Sequence, residues 1–108
     1  TAFHPDWKMR DIAPTPTATL KRARRIALRN GLHHVYTGNV FDPDGSSTYC
    51  PQCRGVLIER VGYELGAWNL ALDDGNTSCR SCGTPIAGVF EAAPGTWGSR
   101  RQPVSIAA

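Results

Sequence analysis

The sequence predicts an α+β chain of two unlike parts, an incomplete βαβ element followed by a small antiparallel ribbon. Three observations carry that expectation. A strand, helix, strand pattern fills residues 1–41. The only four cysteines then fall as two C-x2-C pairs, Cys50 with Cys53 and Cys79 with Cys82, with positions 54 to 78 between them. Those intervening residues alternate β-rich runs with turn formers, as a hairpin requires.

The first part is read from its punctuation. "TAF" at 1–3 is a short apolar run that Pro5 ends, and it reads as the end of a strand followed by a polar loop. Thr15 as N-cap, Pro16 in the first turn and Gly31 past the end predict a helix over 16–30. Leu20, Ala23, Ile26 and Ala27 give that helix an apolar stripe, opposite Lys21, Arg22, Arg25 and Arg29. Residues 32–36 read as a second strand, ended by "TGN" at 37–39. A strand, helix, strand unit of this length suits a right-handed crossover between parallel strands. It would leave sheet edges and one face uncovered, so the rest of a larger protein, a second copy or the cysteine-rich part is expected to cover them.

A turn-rich loop, "DPDGSS" at 42–47, opens the second part, residues 42–91. Val56 to Val61 is one β-rich run, Tyr63 to Leu72 a second, and Pro85 to Phe90 a third short strand; "DDGN" at 73–76 is a strong turn signal. Val56, Leu57, Ile58, Tyr63 and Trp68 are expected to pack around the hairpin, since a ribbon has little core besides its metal. Residues 92–108 show no periodicity and many turn formers, and read as a flexible tail.

The cysteine spacing defines the chemistry. Two residues between thiols let a tight turn aim both sulfurs at one point, and two such turns supply four ligands for a tetrahedral ion. Gly55 and Gly83, beyond their respective pairs, are expected to provide the positive φ that such a turn needs. The pattern predicts a zinc ribbon with Cys50, Cys53, Cys79 and Cys82 as metal ligands, and it leaves iron in a rubredoxin-like site open, because sulfur ligands alone do not separate the two metals. Two disulfides would need an oxidising compartment, and neither pair sits between a strand and a helix as a redox dithiol does. Four protein thiolates leave no open position for substrate, so the site reads as structural.

Composition limits the setting. The 108 residues carry a mild net charge of +3 and no apolar run approaching the ~18 residues of a membrane span, so no membrane partner is expected. With no secretory leader in view, the expected location is cytoplasmic, and the start of the chain reads as falling mid-protein.

The segments "TAFHPDWKM", "YTGNV", "STYCPQC" and "CGTPIAGVF", in this order, resemble the C-terminal part of radical SAM enzymes of the AmmeMemoRadiSam system, which are similar to pyruvate formate-lyase-activating enzymes. The likeness covers roughly residues 1–91, with Ala87 where a proline is expected. It implies that residues 1–41 are the last strands and helix of a (β/α) barrel, with the ribbon appended after them. It places His4, Asp6 and Lys8 on a loop near the substrate mouth, as weak catalytic candidates. The family's [4Fe-4S] cluster and S-adenosylmethionine are held through a C-x3-C-x2-C motif that this chain lacks. Neither cofactor is therefore expected to bind here, and whether the chain acts as an enzyme stays open; radical chemistry alone is not expected of it.

The expected role is a metal-stabilised segment that shapes a substrate entrance or docks a protein substrate. The alternatives are a free-standing zinc-ribbon adaptor for nucleic acid or protein, and a rubredoxin-like electron carrier. The basic helix face favours ordinary solvation over nucleic acid, His33 and His34 read as strand-end residues, and Asp6 and Asp11 as turn carboxylates.

Overall fold

A computed structural model of the chain describes residues 1–101 and 103–107. Its elements are helix α1 (Thr17–Arg29), the single turn α2 (Pro43–Ser46), and strands β1 (Thr48–Tyr49), β2 (Val56–Val61), β3 (Glu64–Trp68), β4 (Leu70–Asp73) and β5 (Asn76–Cys79). All strand pairs are antiparallel: β1-β2-β3 form one sheet and β4-β5 a second.

Local chemistry sets the turns. Asp73 pairs with Asn76 across Asp74 and Gly75, whose φ values are +46° and +79°. Two positive φ angles in a two-residue loop match the right-handed twist of the flanking strands, and Asp-Gly is suited to them. Gly62, at φ +61°, opens the other tight turn, between Val61 and Glu64. The run expected over 63–72 splits at Asn69. There the chain leaves β2 and joins β5: the Asn69 amide donates to Leu57 O at 2.7 Å, its side chain to Val56 O at 2.8 Å, and its carbonyl accepts from Arg80 at 3.0 Å. One residue thus hinges the two sheets.

The core is small and lies between them. Leu57, Leu70 and Cys50 are fully buried, with Ile58, Cys79 and Ile86 around them and Trp68 and Phe90 packed on the rim. Burying each large aliphatic contributes roughly 1.5–3 kcal/mol. Tyr63, expected among these, sits at the turn and is exposed, and Val56 is half-buried. The third strand expected over 85–90 is reduced to one bridge between Ser78 and Pro85. Pro85 has no N–H to continue a ladder and Gly88 turns the chain at φ +134°, while Ile86 drops into the core.

In residues 1–41 the helix forms and the flanking strands do not. Gly31, at φ +89°, closes α1: its amide donates to Leu28 O and that of Leu32 to Ala27 O. Pro16, not Thr15, stands at the N-cap; the Thr15 hydroxyl instead accepts from the Phe3 amide at 2.9 Å. Neither residues 1–3 nor residues 32–36 are strand, so the βαβ element is corrected to a helix between two extended segments. The segments are held together by one backbone bond, Ala2 N–H to Gly38 O at 2.9 Å, and by the Asn39 side chain on Ala2 O. Arg24 takes the Val35 carbonyl at 3.0 Å, removing an acceptor that a ladder would use. Of the helix stripe only Leu20 is buried, and Ile26 is 46% exposed.

The loop expected over 42–47 contains α2, which couples the two parts. Asp42 is buried, accepts from the Thr37 hydroxyl at 3.0 Å and pairs with Lys21 at 3.7 Å. Arg60 reaches Ser46 O and the Thr48 hydroxyl, which also contacts Tyr36. The tail makes a local turn in which Trp97 and Arg100 exchange side chain to backbone bonds. Gln102 and Ala108, within the expected flexible tail, lie outside the described residues.

Candidate metal centre

The four cysteine sulfurs lie within 4.8 Å of one another. Cys50 to Cys82 is 3.6 Å and Cys53 to Cys79 is 3.8 Å, so no disulfide joins either pair and all four thiols are free. Four sulfurs at ~2.3 Å from a tetrahedral ion would stand about 3.8 Å apart, which these distances match. The donor set therefore fits a metal of the zinc or iron kind.

Each pair is set by the same backbone knuckle. In the first, Arg54 N–H donates to Cys50 O at 3.0 Å and Cys50 N–H to Gly55 O at 2.8 Å. In the second, Gly83 N–H donates to Cys79 O at 2.8 Å and Cys79 N–H to Thr84 O at 2.8 Å. The residue after each pair carries the positive φ, which corrects the expectation for the first knuckle: Arg54, not Gly55, is left-handed there, at +66°. Gly83 takes the role expected of it, at +77°. The first cysteine of each pair, Cys50 or Cys79, is buried in the core, while Cys53 and Cys82 face solvent.

The sulfurs are not electrostatically equal. The Thr84 hydroxyl, 3.1 Å away, and the Thr84 amide hold Cys82 down at about 6 against the opposing effect of burial. Cys53 receives the Gly55 amide, which lowers its pKa, yet desolvation and the three neighbouring sulfurs push it up to about 11. Burial raises Cys50, but the amides of Cys53 and Gln52 outweigh it and the net direction is down. Four thiolates cannot coexist this closely without a cation to offset their charge.

The remaining candidates are elsewhere. His4, Asp6 and Lys8 are exposed on the loop after residue 3. Asp6 accepts the Trp7 amide at 2.7 Å and Lys8 lies 4.5 Å from the centre of the Trp7 ring. Arg22, Arg25 and Arg29 are exposed on α1, as are His33 and His34 beyond it. Sequence reasoning missed the buried Asp42, which carries no sequence signal beyond its place before a proline, and Arg24 and Arg54, which face one cleft. No helix among the described residues is long and apolar enough to cross a membrane.

Fold and site together define a small α+β chain with antiparallel sheets and a four-cysteine cluster compatible with a zinc ribbon. The chain is similar to the uncharacterized protein MJ0808 of Methanocaldococcus jannaschii, at 46% identity over 84 residues. That alignment covers 78% of this chain and 25% of the relative, so the chain matches about a quarter of the relative's length. No protein-family profile matches the chain, and no solved structure does.

Proposed function

We propose that the chain is the metal-stabilised C-terminal segment of a radical-SAM-type enzyme, in which Cys50, Cys53, Cys79 and Cys82 hold a structural zinc. The observation that carries the metal site is the convergence of four sulfurs at tetrahedral spacing, in two knuckles whose backbone bonds are formed around them. Bound there, zinc would supply a fixed charge and cross-link, and no open position for chemistry. The buried Cys50 and Cys79 carry that cross-link into the core beside Leu57 and Leu70.

The enzyme context rests on the ordered segments of the sequence resemblance. It is supported by the exposure of Ile26, Trp7 and Phe41, at 46%, 74% and 75%, which leaves apolar surface for a barrel to cover. In this reading residues 1–41 complete the barrel, and the ribbon shapes the substrate entrance or docks a protein substrate. Elemental analysis of the purified chain, with the intact mass of the product in its source, tests both halves. Zinc in a longer product supports the reading. Iron with strong visible absorption supports a rubredoxin-like carrier, and zinc in a short product an adaptor.

A further inference from the structure

The two knuckles differ at one position, and that difference points to a second site. Glycine takes positive φ freely, as Gly83 does; an arginine at +66° is strained, and the knuckle's backbone bonds make no use of its side chain. Among the described residues the Arg54 guanidinium has neither an ion-pair nor a hydrogen-bond partner. An observed outlier of this kind warrants asking what the side chain does.

Arg54 lines a cleft of about 370 Å³ between the C-terminal half of α1 and the first knuckle. Arg24 lines the same cleft, held in place by its Nε bond to Val35 O and lying 5.7 Å from the centre of the Tyr49 ring. Leu28, Leu32 and Pro51 supply apolar walls, and no carboxylate lines the cleft. Asp42 and Asp44 line an adjoining cavity with Lys21, Arg25 and Arg24 itself, so Arg24 stands at the boundary between the two. The volume is that of a small-ligand pocket.

We propose that this cleft binds a carboxylate borne on an apolar body, with Arg24 and Arg54 on the carboxylate and Leu28, Leu32 and Pro51 against the body. Two planar guanidiniums present paired N–H donors that match the two oxygens of a carboxylate. The carboxylate belongs either to a free acid or to a peptide C-terminus.

Amide chemical shifts of the zinc-loaded chain test the site, with 4-phenylbutyrate as the free acid, N-acetylphenylalanine as the peptide terminus and N-acetylphenylalaninamide as the uncharged control. Saturable shifts at Leu28, Leu32 and Arg54 are expected with at least one acid, with Kd on the order of 1 mM for ligands this small. The tighter of the two acids identifies the source. Arg54→Gly, which relieves the backbone, should keep the zinc and weaken binding at least tenfold. Arg24→Gln, on the helix and away from the sulfurs, should do the same, and it decides the matter should R54G lose metal. Absence of saturable shifts with both acids, equal binding of the amide, or undiminished binding by R24Q would overturn the proposal.

Discussion

Arg54 and Gly83 occupy equivalent places in the two cysteine knuckles. Each follows its C-x2-C pair, each is left-handed, at +66° and +77°, and each donates its amide to the carbonyl of the first cysteine, at 3.0 and 2.8 Å. The two halves of the metal centre are therefore one backbone solution used twice, with different residues at its most constrained position.

Substitutions at this pair should move stability in opposite directions. A Cβ at Gly83 would meet nothing within 4 Å, so Gly83→Ala tests conformation without a clash. It should cost about 1 kcal/mol, and R54G should be neutral or stabilising by a similar amount. Thermal unfolding of the zinc-loaded variants measures both.

Removing a ligand should unfold the ribbon. Cys50→Ser or Cys79→Ser takes a sulfur from the buried side of the cluster, and the lost metal contributes on the order of 10 kcal/mol of folding free energy in small zinc domains. Loss of near-UV circular dichroism and of protease resistance is expected in both variants. Retention of both signals without metal would refute the structural role.

Zinc uptake should release protons and weaken as pH falls, because the metal-free, unfolded chain carries thiols near their ordinary pKa of about 8.5 and binding requires thiolates. In the folded cluster the Thr84 hydroxyl and amide favour the Cys82 thiolate. Thr84→Val should therefore lower zinc affinity at pH 7, measured by competition with a chromophoric chelator.

Gly45 has no room for a side chain. An added Cβ would run into the Asp42 carboxylate and the Thr37 hydroxyl, both buried. Gly45→Ala should therefore destabilise the coupling between α1 and β1 by roughly 1–3 kcal/mol, as overpacking does. Hydrogen exchange at Thr37 and Ser46, whose amides bond to Gly45 O and Asp42 O, would locate the loss.

How far the sequence could be read depended on where each signal is local. The cysteine spacing, the Asp74-Gly75 turn and the Gly31 helix stop are chemical requirements of a few adjacent residues, and each stands where expected. The strands expected at 1–3 and 32–36 need pairing partners and cover that this chain does not supply, so they remain extended segments joined at Ala2 and Gly38. Asn69 was illegible because its role is to bond both sheets at once, and pattern reading sees only an uninterrupted β-rich run. Glycine preference points to Gly55 as the left-handed residue of the first knuckle, whereas the hydrogen bond to Cys50 O selects Arg54, directly after Cys53.

The central claim is that four thiolates close around zinc and hold the ribbon together. X-ray absorption at the zinc edge of the purified chain tests it most directly. Four sulfur neighbours at ~2.3 Å, one zinc per chain and no visible colour are expected. A folded chain with no stoichiometric metal, or a zinc with nitrogen or oxygen neighbours in place of sulfur, would contradict it.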